Sequence, residues 1–188
     1  LRIYVLTQFK SQSLNDHLRQ AWEVNSFTDT FIDAIPAQMR KGKHWYSGTA
    51  DAIYQNLQFI QSDEADTICI FGSDHIYKMD IRQKLEFHKE KDAILTVSAI
   101  RLPKEQAYHF GIIEVDEEGR MIGFAEKPAV EDAKTIPGDP DHVLASMGNY
   151  AFKSKELQDE LIRDAAEKNS SHDFGKDIIP HLMPTGKV

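Results

Sequence analysis

The sequence has little of what marks secreted, membrane or nucleic-acid-coating proteins. Its 188 residues include one cysteine, Cys69, so no disulfide can form within the chain. No apolar run approaches the roughly 20 residues needed to cross a bilayer, and no basic, apolar leader opens the chain. Lysine and arginine number 22 against 30 aspartate and glutamate, a net charge of −8, which argues against general binding to polyanions. We therefore expect a soluble, cytoplasmic protein that binds neither membranes nor nucleic acid.

Two common kinds of catalytic site are also missing from the sequence. The eight histidines form no H-x-x-x-H pair and only one cysteine is available, which disfavours a zinc site. No G-x-S-x-G elbow is present, so a hydrolytic triad has no support. Cys69 lies in an apolar run, where a buried structural thiol is expected rather than a nucleophile.

Strand and helix patterns alternate along the chain, which predicts one α/β domain. Helical spacing covers 11–22, 49–61, 81–91 and 156–168, and strand patterns cover 3–6, 67–71, 93–100, 110–115, 121–126 and 143–152. The turn-rich link between the strands at 110–115 and 121–126 predicts a β-hairpin. We therefore expect a mixed, mainly parallel sheet with flanking helices. Because a strand pattern follows directly on Leu1, we also expect a fragment of a longer protein.

Asp74 is the strongest candidate for chemistry from the residues alone. It ends the segment Gly72-Ser73-Asp74, directly after a short apolar strand pattern. The carboxyl ends of strands are where α/β folds place their ligands. A carboxylate there can hold Mg²⁺ against phosphate oxygens, and the alternative is an aspartate that caps the following turn.

Lys127 is the second candidate, in the segment Glu126-Lys127-Pro128 at the end of a strand pattern. The proline stops strand pairing and fixes where the lysine leaves the sheet. A lysine so placed can present its charge to a phosphate, and the alternative is a solvated strand-end lysine.

Two glycines mark further candidate contacts. Gly48 precedes a helix pattern, where free N–H groups favour anions and the missing side chain lets a ligand approach the backbone. A plain helix start is the alternative. Gly148 lies inside a strand pattern, where a glycine is costly unless something needs access to the backbone. That makes the neighbouring Ser146 a candidate contact to a sugar hydroxyl.

Five segments carry the most specific pattern: WYSGTADA (45–52), FGSDHIYKMD (71–80), FAEKP (124–128), ASMGNY (145–150) and DFGKDIIP (173–180). In this order they closely resemble the glucose-1-phosphate adenylyltransferases, or ADP-glucose pyrophosphorylases, of bacterial glycogen synthesis. The resemblance covers essentially the whole chain.

The resemblance implies a Rossmann-like nucleotide-diphospho-sugar transferase fold, with residues 1–188 as the central part of one catalytic domain. In the family a glycine-rich nucleotide loop precedes this region. A second metal-binding aspartate and a left-handed β-helix domain follow it, and this sequence contains none of the three. The implied enzyme joins ATP and α-D-glucose 1-phosphate into ADP-glucose and pyrophosphate, uses Mg²⁺ and is a homotetramer. We expect residues 1–188 alone to be inactive.

The resemblance also implies roles for individual residues. Asp74 matches the catalytic, metal-binding aspartate, and Lys127 matches the lysine that grips the sugar phosphate. Further glucose 1-phosphate contacts would be Tyr46, Gly111, Glu126 and Ser146, and nucleotide contacts would be Gln38 and Gly48.

Alternatives remain open within this interpretation. One is a sugar-1-phosphate nucleotidyltransferase for another base or sugar, although the first and last of the five segments favour the adenylyl branch. Another is a non-catalytic regulatory subunit, against which the retention of Asp74 and Lys127 argues. A phosphatase of the haloacid dehalogenase type would need a second aspartate two residues after Asp74, where Ile76 stands. Gln8 and Trp45 match family positions linked to activation.

Overall fold

The structure is a computed structural model that describes residues 1–22, 30–38, 45–74 and 76–188. His75 of the second segment therefore lies outside the described residues. The strands are β1 (Arg2–Thr7), β2 (Phe31–Pro36), β3 (Thr67–Ile70), β4 (Leu95–Pro103), β5 (Gly111–Val115), β6 (Met121–Glu126) and β7 (His142–Lys153). The α-helices are α1 (Gln12–Ala21), α2 (Thr49–Tyr54), α3 (Leu57–Asp63), α4 (Ile81–Glu90), α5 (Ser154–Ala166) and α6 (Ile179–Leu182), with a π-helical turn at Phe174–Ile178 and 3₁₀ turns at Lys104–His109 and Met183–Thr185. In these described ranges no helix is both long and apolar enough to span a membrane.

The larger of the two sheets is antiparallel, which makes the prediction of a mainly parallel sheet wrong. β1 and β2 form a separate parallel pair. The five-stranded sheet has the order β3-β7-β5-β6, with β4 also paired to β7, and all its pairs are antiparallel. A short apolar strand such as β3 is typical of parallel sheets. Its composition does not record the direction of its partner, however, and that partner is β7. The predicted hairpin of β5 and β6 is confirmed.

β7 organises the larger sheet because it pairs with three other strands. Tyr150 lies opposite both Ile70 of β3 and Val97 of β4, and Ala145 lies opposite Ile112 of β5. The register with β4 shifts near the middle of β7, where Gly148 has a φ of +63°. This left-handed backbone explains the glycine inside the strand, since residues with side chains rarely adopt it.

The main core lies between one face of the sheet and the helices α2, α3, α5 and α6. Its fully buried members, at 2% exposure or less, include Leu95, Phe152, Leu157, Leu161 and Phe174. Along a strand successive side chains point to opposite faces. Because Leu95 points into this core, the next residue of β4, Thr96, faces the other side of the sheet, where α4 packs.

The predicted helix over 49–61 is divided into α2 and α3 by Asn56. This buried side chain donates from Nδ2 to the carbonyl oxygen of Ala52 at 2.8 Å and to the hydroxyl oxygen of Tyr46 at 3.0 Å. Side-chain bonds of this kind compete with the backbone bonds of a helix. The interruption therefore fixes Tyr46 beside the start of α3.

A buried lysine lies between α4 and the sheet. Lys84 is 8% exposed, its Nζ lies 5.3 Å from the centre of the Phe71 ring, and no hydrogen-bond partner reaches that nitrogen from the described residues. Burial lowers the pKa of Lys84 from 10.5 to about 8, with a smaller opposing effect from Cys69. One turn further along α4, His88 Nδ1 lies 2.7 Å from Thr96 Oγ1.

Lys84→Met should stabilise the protein, because at neutral pH the native state holds a charge in a desolvated site. The expected gain is about 1–3 kcal/mol at pH 7. Between pH 8 and pH 10.5 the unfolded lysine binds more protons than the folded one, so the stability of the unsubstituted protein rises with pH in that window. The advantage of Lys84→Met should therefore be largest below pH 8 and shrink towards pH 10.5. Urea unfolding at pH 7 and pH 10 measures both effects.

Lys89→Met is the matched control, because Lys89 is exposed on the same helix. It should change the unfolding free energy by no more than about 0.5 kcal/mol. Destabilisation by Lys84→Met, or a gain that is equally large at pH 10, would show that the Lys84 ammonium is not desolvated.

Candidate active site

Gly111, Glu126 and Lys127 come together where the β5–β6 hairpin opens. Gly111 lies opposite Glu126 in the register, and Lys127 Nζ lies 3.9 Å from Glu126 Oε1. A Cβ on Gly111 would lie 2.5 Å from the ring of Phe124 and 3.0 Å from Glu126 Oε2, so these side chains would have to shift to admit a larger residue. The Lys127 side chain is 63% exposed and available to an anion. Three of the residues predicted to bind the sugar phosphate are thus neighbours.

The backbone of Lys127 is strained. Its φ is +49°, in the left-handed region that non-glycine residues seldom adopt, and its position before Pro128 ordinarily favours extended backbone. The amide of Lys127 donates to the carbonyl oxygen of Phe110 at 3.0 Å, which holds this turn against the start of β5. Strain of this kind concentrates at functional sites.

Ser146 and Tyr150 lie on β7 on either side of its irregular middle. The Ser146 hydroxyl oxygen accepts from the amide of Gly148 at 3.3 Å. Burial raises the pKa of Tyr150 to about 12, with further contributions from the carboxylates of Asp173 and Glu126. Tyr150 is therefore a neutral hydrogen-bonding group at physiological pH, in the electrostatic neighbourhood of both carboxylates.

Gly48 packs against the turn that precedes the π-helical turn. Thr49 Oγ1 donates to Asp173 Oδ2 at 3.1 Å, and the amide of Ala50 donates to the carbonyl oxygen of His172 at 2.8 Å. A Cβ on Gly48 would overlap that same carbonyl oxygen. The close neighbour of this glycine is thus the chain's own backbone, and one N–H group at the start of α2 is already bonded. A nucleotide contact at Gly48 remains a prediction.

The parallel pair brings another group of predicted residues to one edge. Gln8 and Gln38 follow the carboxyl ends of β1 and β2, which lie side by side. Gln8 Oε1 accepts from the amide of Tyr46 at 2.9 Å, and the exposed Gln38 donates from Nε2 to the carbonyl oxygen of Pro36 at 3.0 Å. This edge offers amide and phenol groups to a ligand, and the substrate contacts predicted for Tyr46 and Gln38 remain predictions.

Asp74 lies exposed in the turn after β3. Two residues earlier, the amide of Gly72 donates to Asn149 Oδ1 at 3.1 Å, which fixes the start of this turn against β7. No cluster of three or more His, Cys, Asp or Glu side chains suited to a metal occurs in residues 1–22, 30–38, 45–74 and 76–188. One carboxylate ligand from the protein suits Mg²⁺ that takes its remaining ligands from water and substrate phosphates.

A cavity of about 350 Å³ lies elsewhere in the molecule, among residues of α4, of the strands β4 to β7 and of the segment 186–188. Phe87, Leu95, Ile113 and Met121 contribute to its largely apolar lining, and none of the predicted site residues lines it. The candidate active site is instead an open surface at strand ends and turns.

Two neighbours of this site escaped prediction from the sequence. Tyr150 resembles a core aromatic, and its ring does pack 5.1 Å from that of Phe174. Asp173 acts as a helix cap in the structure, since its Oδ1 accepts from the amides of Gly175 and Lys176. For Tyr150 the sequence does offer an indication of a place near the site, because Tyr150 lies four residues after Ser146 on the same strand.

Comparisons with known proteins bear on this arrangement. A family model described as nucleotidyl transferase matches residues 2–188. The protein named glucose-1-phosphate adenylyltransferase 1 of Vibrio vulnificus (strain YJ016) is 65% identical over all 188 residues. Proteins named glucose-1-phosphate adenylyltransferase from Aliivibrio fischeri (strain MJ11) and Anaeromyxobacter sp. (strain Fw109-5) are 64% and 53% identical over the same length.

Each of these alignments covers 100% of the chain and 46% of the relative, so the chain spans about half the length of the curated relatives it matches. The family match extends over nearly every residue, including all the strand ends described above. The chain therefore belongs to the nucleotidyl transferase family.

Proposed function

We propose that the full-length protein makes ADP-glucose and pyrophosphate from ATP and α-D-glucose 1-phosphate, for glycogen synthesis. The observation that carries the proposal is the grouping of Gly111, Glu126 and Lys127 at the open end of the hairpin, with Ser146 and Tyr150 on the paired strand β7. One cation beside several hydroxyl and carboxylate groups suits a sugar phosphate. The names of the relatives, at 53–65% identity over the whole chain, support the adenylyl group and glucose 1-phosphate as substrates.

The proposed roles follow from the charge and hydrogen-bonding capacity of each side chain. Lys127 binds the phosphate of glucose 1-phosphate, Glu126 and Ser146 accept hydrogen bonds from its hydroxyl groups, and Gly111 leaves the space they need. A phosphate oxygen of the sugar phosphate then attacks the α-phosphorus of ATP, and pyrophosphate leaves. Such a reaction asks the protein mainly to align two substrates and to neutralise their charges.

Asp74 is the proposed ligand of Mg²⁺. Its carboxylate is an oxygen donor at the end of a strand, which suits a hard cation. When bound there, Mg²⁺ would neutralise part of the charge on the substrate phosphates. Gln38, Gly48 and Tyr46 stay proposed substrate contacts at the neighbouring edge. The resemblance also predicts that residues 1–188 are the central part of one catalytic domain and that the protein is a homotetramer. The cytoplasmic location stays a prediction from the composition.

Lys127→Gln tests the sugar-phosphate assignment in the full-length protein. The variant removes a charge-assisted contact worth about 1.5–3 kcal/mol, so the KM for glucose 1-phosphate should rise roughly 10- to 150-fold. The KM for ATP should change little, because ATP does not use this contact. Initial rates of ADP-glucose formation, with each substrate varied in turn, measure both constants.

Lys134→Gln provides the control, since Lys134 is an exposed lysine in the loop that follows Lys127. It should leave both Michaelis constants unchanged. Equal increases in the two constants for Lys127→Gln would remove Lys127 from the sugar-phosphate site.

Asp74→Asn tests the metal assignment. Loss of a metal ligand that acts as charge shifts in the transition state should lower kcat by about 100-fold or more, with modest changes in either KM. Asp80→Asn is the matched control: Asp80 caps α4 by accepting from the amide of Arg82, and asparagine caps equally well. Wild-type turnover by Asp74→Asn would return Asp74 to a capping role.

A further inference from the structure

A buried carboxylate on α5 holds the turn at 170–173. Asp164 is 2% exposed. Its Oδ1 accepts from Ser170 Oγ at 2.6 Å, and its Oδ2 lies 2.7 Å from Nδ1 of His172. The hydroxyl oxygen of Ser170 in turn accepts from the amide of His172 at 2.9 Å. Both oxygens of one carboxylate are thus used to fix two residues of the same short turn.

The turn so held has an unusual backbone. His172 has a φ of +55°, in the left-handed region that few non-glycine residues adopt. In this conformation its carbonyl oxygen accepts from the amide of Ala50, and the next residue, Asp173, accepts from Thr49 Oγ1. A strained conformation persists only where surrounding contacts over-determine it. The buried carboxylate supplies contacts of that kind.

This turn lies between the two halves of the candidate active site. On one side it packs against Gly48, the proposed nucleotide contact. On the other side Phe174, which directly follows the turn, packs its ring 5.1 Å from that of Tyr150, on the same strand as Ser146. A displacement of about 1 Å between reacting groups can cost about 100-fold in rate. The position of this turn therefore bears on how well the two substrates align.

We propose that Asp164 is a positioning residue of the active site. Through Ser170 and His172 it sets the turn that aligns the Gly48 loop with the sugar-facing side chains of β7, and it contacts neither substrate. This inference rests on the proposed function, because it requires two substrates to be brought into line.

The chain offers a closely matched control for Asp164→Asn. Glu160 lies one turn earlier on α5, is 5% exposed and also pairs with a histidine, with Nδ1 of His181 at 2.9 Å from its Oε2. His181 belongs to α6 and not to the turn. Asp164→Asn and Glu160→Gln therefore each replace a buried, histidine-paired carboxylate by its isosteric amide, and only the first touches the turn.

Both variants are made in the full-length protein and compared in two measurements. Asp164→Asn should lower kcat for ADP-glucose formation by about 10- to 100-fold, with each KM within about threefold of wild type. Glu160→Gln should keep kcat within about twofold of wild type, even if it lowers the thermal stability as much as Asp164→Asn does. Hydrogen exchange of the peptide covering 48–54 should be faster in Asp164→Asn only, because the amide of Ala50 bonds to the turn.

The proposal is overturned if Asp164→Asn keeps kcat within about twofold, or if Glu160→Gln loses as much activity. If Asp164→Asn does not fold, His172→Asn replaces it. Asparagine tolerates the left-handed backbone but lacks the imidazole that reaches Asp164, so the same pattern is expected. A wild-type protein that forms no ADP-glucose, while Asp164→Asn still accelerates exchange over 48–54, would count against the proposed function and leave the positioning link standing.

Discussion

The antiparallel pairing of β7 is the interaction on which the rest of the structure depends. Its buried residues, such as Phe152, anchor the main core between the sheet and α5. Its polar residues fix the surroundings of the site: Asn149 accepts from the amide of Gly72 ahead of Asp74, and Ser146 accepts from the amide of Gly148. One strand thus joins the core to the turn that carries Asp74 and to the side chains of the proposed sugar-phosphate site. A change in its register by one residue would exchange its buried and exposed faces and separate these groups.

Much of the fold could be predicted because apolar periodicity records helix and strand directly. The hairpin of β5 and β6 and the helices α4 and α5 lie close to their predicted ranges. The direction of the strands could not be predicted, since Thr67–Ile70 has the same composition whether its partner runs with it or against it. The break between α2 and α3 also escaped prediction, because it depends on Asn56 reaching Tyr46 and Ala52 in the folded chain.

The candidate site was predictable to the extent that its residues are adjacent in sequence or register. Glu126 and Lys127 are neighbours along the chain, and the hairpin brings Gly111 opposite them. Asp173 lies in a turn and Asp164 in a helix, both far along the chain from the hairpin. No local sequence pattern distinguishes these two residues from ordinary helix caps and surface carboxylates. The structural reason for a glycine at position 48 could not be predicted either, because the carbonyl oxygen of His172 occupies the space beside it. His172 lies more than a hundred residues away in the sequence.

The most direct test of the central claim is a competition among nucleotides. The purified full-length protein is incubated with Mg²⁺, glucose 1-phosphate and equal concentrations of ATP, UTP, CTP, GTP and dTTP, and the nucleotide sugars are identified by mass spectrometry while pyrophosphate release is followed. The proposed function predicts ADP-glucose as the main product, in amounts equal to the pyrophosphate released. UDP-glucose or dTDP-glucose as the main product, or no nucleotide sugar from a folded protein that binds glucose 1-phosphate, would contradict it.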